Sequence, residues 1–126
     1  PWTGRPGHAN PPDWDKIPGA HGSTPEAQGF EALIDQYKAR GIQIVGLSTQ
    51  SREWQREFAA RIGLTYPLMS DSELKVADAL QLPRFQTGGV AYLKRLTLMC
   101  REGLIVRAFY PVCAPDRHAA DLLAML

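Results

Sequence analysis

Phe30, Leu33, Ile34 and Tyr37 recur at helical spacing, and Gly41 follows as a helix-ending residue. The pattern predicts a helix that begins near Ser23 or Thr24, either of which has the side chain to cap it. Pro25 suits the first helical position, and Glu26 suits the positive end of the helix dipole. The apolar run Ile42-Gln43-Ile44-Val45-Gly46-Leu47 is short enough to predict a buried strand. Ser51 then caps a second helix with Trp54, Phe58 and Ile62 on one face, and Gly63 stops it. Tyr66-Pro67-Leu68-Met69 predicts a short extended piece, and Asp71 or Ser72 opens a third helix that runs to Leu80 and ends before Pro83.

The pattern changes in the last third. Val90 to Cys100 predicts one long strand and Leu104 to Tyr110 another, with Arg101-Glu102-Gly103 between them at hairpin length and Pro111 at the end. Asp116 is placed to cap a final helix whose apolar face holds Ala119, Leu122, Leu123 and Leu126.

The first 29 residues read differently. They hold six of the ten prolines and five of the eleven glycines, so they predict a long irregular segment ahead of regular structure. Trp2, Trp14 and Ile17 give that segment groups to pack, which sets it apart from low-complexity sequence. Loops of this length within a compact domain are usually functional or disordered.

The order is therefore loop, α, β, α, a short extended piece, α, β, β, α. An α/β half followed by a hairpin and a terminal helix outlines a thioredoxin-like α/β fold. That outline expects a strand before the first helix, parallel to the 42–47 strand, and only Pro1-Trp2 precedes the loop. The expectation is a single thioredoxin-like domain over residues 1–126 that lacks an N-terminal strand, hence a fragment of a slightly longer domain.

Length and charge narrow the function. A chain of 126 residues fits one domain with a core of its own. Fourteen basic against thirteen acidic residues leave a net charge of +1, so bulk charge does not drive binding to nucleic acid or another polyanion. No apolar run approaches the length of a membrane span. Two cysteines are too few for a disulfide scaffold and match no zinc spacing.

The segment Pro18-Gly19-Ala20-His21-Gly22-Ser23-Thr24-Pro25-Glu26-Ala27-Gln28-Gly29-Phe30 carries the candidate chemistry. Position 23 falls at a helix N-terminus, where backbone N–H groups and the dipole stabilise an anion. A cysteine there would have a depressed pKa and be reactive. The plain alternative for Ser23 is an N-cap and nothing more.

This segment resembles the active-site loop of peroxiredoxins of the bacterioferritin-comigratory, or Q, type, which carry Gly-Cys-Thr-x-x-x-Cys-x-Phe. The resemblance continues along the chain. Pro1-Trp2-Thr3-Gly4 looks like the end of the family's first core strand, Gly46-Leu47-Ser48-Thr49-Gln50 like the next strand end, and Tyr66-Pro67-Leu68-Met69-Ser70-Asp71 like its Pro-Leu-Leu-Ser-Asp motif. Lys94-Arg95-Leu96-Thr97-Leu98 looks like the Arg-x-Thr-Phe strand whose arginine stabilises thiolate and peroxide. The resemblance implies the peroxiredoxin branch of the thioredoxin fold, reduction of hydrogen peroxide and organic hydroperoxides by a cysteine thiol, a thioredoxin-like dithiol donor as reductant, and no organic or metal cofactor. It places Ser23 at the peroxidatic position, Gln28 at the resolving position, Thr24 beside the nucleophile and Arg95 at the anion-stabilising one.

At those positions the chain departs from the pattern. A thiolate attacks a peroxide oxygen because it is anionic and soft, and its sulfenic acid is cleared by a second thiol. A serine hydroxyl is un-ionised and has no such oxidation ladder, Gln28 forms no disulfide, and the usual threonine three residues before the nucleophile is Ala20. The expectation is a family member with impaired peroxidase chemistry. The alternative is a non-catalytic binding or regulatory module that uses the helix N-terminal pocket for a peroxide, a small anion or a partner. A cytoplasmic protein, monomeric or homodimeric, with no nucleic-acid or membrane partner, completes that expectation.

Other residues are candidates to carry the chemistry instead. Cys100 ends one predicted strand and Cys113 lies at the far end of the other, so a turn at 101–103 separates them by roughly 30 Å, beyond disulfide reach. Both read as buried small hydrophobes, with Cys113 the thiol of interest if activity survives. Arg95 reads as mid-strand on one face with Leu93, Thr97 and Met99, either aimed at the position-23 loop or held in a salt bridge. His21 near Ser23, with Asp13 or Asp15, falls short of a hydrolytic triad because no nucleophile-elbow motif is present. The three histidines lack metal spacing, the glycine-rich loop lacks a phosphate-loop ending, and Pro1 lacks the following strand of a proline-base tautomerase.

Overall fold

The computed structural model describes residues 23–126. The first helical pattern folds as two helices, α1 (Ser23–Ala32) and α2 (Ile34–Ala39), separated at Leu33, whose φ of −106° and ψ of 10° break the helix. The single helix expected from the apolar spacing is corrected to this bent pair. The bend lets Tyr37 turn inward, where it is 1% exposed and its hydroxyl donates to the Ala119 carbonyl.

The predicted 42–47 strand is shorter and shifted. β1 is Gly46–Ser48, and α3 (Arg52–Ile62) follows. Ser51 accepts a bond from the Trp54 N–H at 3.2 Å, and Gly63 ends α3 at a φ of 75°, as the sequence pattern expects. β2 (Leu68–Ser70) pairs parallel to β1, with Gly46 opposite Leu68 and Ser48 opposite Ser70. Gln55 of α3 is 4% exposed, and its amide donates to Ser48 Oγ at 2.7 Å and to the Met69 carbonyl at 2.9 Å. One buried amide thus ties α3 to both strands.

The third helix is a single turn and a half, α4 (Lys75–Ala79). Asp71 does not begin it. Its carboxylate reaches forward instead, accepting from the Val76 N–H at 3.0 Å and the Ala77 N–H at 2.8 Å, so it satisfies the helix start from four residues upstream.

The long strand expected over 90–100 is two strands in different sheets. β3 (Arg84–Thr87), which the sequence reading missed, pairs antiparallel with β4 (Val90–Leu93) around Gly88-Gly89. Both turn glycines have positive φ, 57° and 75°, which is the geometry a two-residue hairpin turn needs. The Lys94 N–H donating to the Pro83 carbonyl at 2.9 Å closes the hairpin base, and the chain then leaves the strand at 94–96. β5 (Thr97–Arg101) and β6 (Leu104–Phe109) form the expected second hairpin. The turn is Glu102-Gly103 alone, so Arg101 faces Leu104 and Cys100 faces Ile105 rather than residue 104, and a register shift at Met99/Cys100 then sets Met99 opposite Arg107.

α5 (His118–Met125) closes the described chain. Its N-cap is Arg117 with no side-chain bond, so the expected Asp116 cap is corrected. Ala119, Leu122 and Leu123 are buried as predicted, whereas Leu126 is 39% exposed. Arg40 donates to the Leu123 carbonyl at 3.0 Å and to the Leu126 carbonyl at 2.8 Å, placing a cation at the negative end of α5. Among the described residues β1 has only β2 as a strand partner, and β5 only β6. Residues of both strands line a groove of about 1210 Å³ whose walls also include Phe30, Tyr37 and Phe58.

Candidate functional site

The first turn of α1 is the candidate site, and three contacts fix where that helix stands. Glu31 accepts from the Thr65 N–H at 2.6 Å and from Thr65 Oγ1 at 2.7 Å, and these donors hold its carboxyl below the usual range. Tyr66, 9% exposed, donates to the Ala27 carbonyl at 3.1 Å, and burial pushes its phenol well above its ordinary pKa. On the opposite side Gly29 faces α5, where an added methyl would lie 3.7 Å from Ala119 Cβ.

Arg95 reaches this turn. It lies in the link between β4 and β5 rather than mid-strand, and its Nη1 is 3.3 Å from Glu26 Oε2. The two side chains are only 14% and 17% exposed. Burial raises the Glu26 carboxyl above its ordinary pKa, and the charge and hydrogen bond of Arg95 pull it back down. Of the two alternatives offered by the sequence, the structure shows the salt bridge, and its partner Glu26 lies in the first turn of α1. The guanidinium is held at the positive end of α1 by an internal carboxylate.

Ser23 begins α1 and Glu26 lies in its first turn, so the ion pair sets the Arg95 guanidinium at the same end of the helix as position 23. Thr24 is half-buried in that first turn, and Gln28 is exposed on the next. The strand end at Pro1–Gly4, Ala20, His21, His8, Asp13 and Asp15 lie outside the described residues.

Two residues of the neighbourhood escaped the sequence reading. Glu26 stood out only as a favourable charge for the dipole, although an acid one turn past position 23 was a signal that an arginine aimed there would find it. His118 gave no signal of its own. Its Nε2 lies 2.7 Å from Thr97 Oγ1, two residues beyond Arg95.

The cysteines are corrected. Both are free, as their expected separation requires, but both are exposed rather than buried. Cys100 stands at the register shift near the hairpin tip, and Cys113 lies in the segment after β6, so neither reaches the core. Cys113 lines a small hollow of about 480 Å³ with Phe109, Val112, His118 and Met125. Among the described residues no group of three or more His, Cys, Asp or Glu side chains is placed to hold a metal ion. No described helix is long and apolar enough to cross a membrane.

The AhpC/TSA family matches residues 18–112. The peroxiredoxin Bcp of Xanthomonas campestris is 30% identical over 109 residues, covering 83% of this chain and 68% of the relative. A hydroperoxy fatty acid reductase of Synechocystis is 27% identical over 128 residues, covering 83% and 76%. A solved cysteine-to-serine variant of the Xylella fastidiosa peroxiredoxin of the Q type superposes with a TM-score of 0.72 at 28% identity, covering 83% of this chain and 67% of that one. The peroxidoxin BcpB of Mycobacterium tuberculosis superposes with a TM-score of 0.70 at 26% identity, covering 86% and 71%. Sequence match and thioredoxin-like fold lead to one conclusion: the chain belongs to the AhpC/TSA family, among the peroxiredoxins of the bacterioferritin-comigratory, or Q, type.

Proposed function

We propose that this protein keeps the family's anion-holding frame and has lost thiol peroxidase turnover at position 23. In the thiol reaction a thiolate attacks one peroxide oxygen, the O–O bond breaks, and the products are a sulfenic acid and water or an alcohol. A second thiol then condenses with the sulfenic acid, water leaves, and a dithiol donor reduces the disulfide. Ser23 supplies no thiolate and Gln28 no second thiol. The observation that carries the reading is the placement of Arg95 against Glu26 in the first turn of α1, which keeps the cationic half of the site without the sulfur half.

Within this frame the ligand is a hydroperoxide or a small anion that competes with the Glu26 carboxylate for the Arg95 guanidinium. The same geometry supports the second reading, a binding or regulatory module with no turnover. A thioredoxin-like dithiol donor has a substrate only if a thiol is oxidised, and the exposed Cys113 is the thiol to examine. The single-domain reading is supported by the family match over residues 18–112.

The test is mass-spectrometric trapping of sulfenic acid with dimedone in Ser23→Cys after addition of a hydroperoxide. The expected result is a dimedone adduct at position 23 that weakens at least tenfold when Arg95→Met is added. An adduct that forms equally well without Arg95 contradicts the assignment of the frame.

A further inference from the structure

His118 sits where three elements meet. Its ring presents to Phe30 of α1 at 5.8 Å between centroids and 74° between planes, and to Phe109 of β6 at 6.4 Å and 66°. Its Nε2 lies 2.7 Å from Oγ1 of Thr97, the first residue of β5. Two edge-on aromatic contacts fix the ring plane, so the imidazole is aimed at Thr97 by packing rather than by a hydrogen bond alone.

Two residues back along the chain is Arg95, the cation of the candidate site. A neutral imidazole protonated on Nδ1 accepts the Thr97 hydroxyl proton at Nε2. The imidazolium must donate from Nε2, so the hydroxyl proton has to turn to another acceptor. The direction of the bond therefore reverses when the ring takes up a proton, and a second positive charge then faces Arg95.

We propose that His118 is a positioning residue that acts through Thr97 on Arg95, and that its protonation resets how the guanidinium is held at the start of α1. This rests on the reading of Arg95 as the anion-holding group. The charged groups around the ring come from each element packed on it. Asp121 of α5 favours the imidazolium, Arg95 of the β4–β5 link opposes it, Glu26 of α1 pairs with Arg95, and Arg107 of β6 lies 4.7 Å over the Phe109 ring. Burial is the largest influence and holds the His118 pKa below its ordinary value, so the change falls on the acid side of 6.5.

The test is an NMR pH titration of the full chain, following the His118 ring Cε1–H, the Thr97 methyl and the Arg95 Nε–H. One shared midpoint for the three signals is expected. In His118→Gln, whose amide still bonds to Thr97 but does not titrate, the Thr97 inflection and the part of the Arg95 inflection that shares the His118 midpoint are expected to vanish, leaving at Arg95 only the inflection of its partner Glu26. Arg95 and Thr97 signals that stay flat while the ring titrates overturn the proposal, as does an Arg95 inflection that keeps the His118 midpoint in His118→Gln. Should His118→Gln not fold, Thr97→Val serves: the ring still titrates and the Arg95 inflection at the ring's midpoint is lost, whereas its persistence overturns the proposed route. Sulfenic acid trapping in Ser23→Cys reads position 23 and not the titration, so failure of the functional reading and failure of this inference are told apart.

Discussion

Arg95 Nη1 stands 3.3 Å from Glu26 Oε2, joining the link before β5 to the first turn of α1 across 69 residues of sequence. The pair is nearly out of water, and that sets its energetics. A buried ion pair adds little over an apolar pair of the same shape, but removing one partner leaves a charge with lost compensation.

Arg95→Met is therefore expected to lower stability in urea unfolding by about 3 kcal/mol at neutral pH. Adding Glu26→Leu should restore most of it. The sign of the pH dependence follows from Glu26. Its folded pKa is raised, and losing Arg95 raises it further, so its favourable contribution is complete below 4.5 and is lost as pH rises through the folded value. The deficit of Arg95→Met should shrink on acidification towards 4.5 and grow towards neutrality. A deficit independent of pH would show that Glu26 is not the group left exposed to the change.

Tyr37→Phe removes the hydroxyl that donates to the Ala119 carbonyl and leaves that buried acceptor without this donor. The expected cost is about 1–2 kcal/mol, with faster amide exchange in α5. Unchanged exchange in α5 would separate α2 from α5 energetically.

Gln55→Leu keeps the volume at a position 4% exposed but removes both amide bonds to the β1–β2 pair. A loss of about 2–3 kcal/mol is expected, since the Met69 carbonyl loses its buried donor. Gln55→Glu should be worse at neutral pH, because a carboxylate cannot donate to that carbonyl and is costly to bury. Thermal melts of the two variants at equal pH check the order.

Cys100 and Cys113 are both free and exposed. A thiol-specific chromophore such as dithionitrobenzoate should therefore titrate two thiols per chain without denaturant. A native count of zero that rises to two only on unfolding would return both residues to the core, where the sequence pattern had put them.

The parts of the fold legible in the sequence are those specified by neighbours. Ser51 and Gly63 bound α3 because a cap and a left-handed stop act within one turn, and the 104–109 strand shows in its own residues. The β3–β4 hairpin was hidden because Pro83 and Gly88-Gly89 read as punctuation around a stretch too short to score as a strand. The cysteines were misplaced because an apolar run says nothing about which hairpin edge faces solvent. Arg95 was legible through its family context, but its partner was not, since Glu26 lies in another element and only the fold brings the two together. His118 depends on packing by Phe30 and Phe109, which no spacing encodes.

On the proposed function the site keeps its cation and lacks its sulfur. The direct measurement is hydroperoxide consumption by the unmodified chain and by Ser23→Cys, each with and without a dithiol donor. No donor-dependent consumption is expected from the unmodified chain, and measurable consumption is expected from Ser23→Cys. Robust donor-dependent turnover by the unmodified chain would contradict the proposed function.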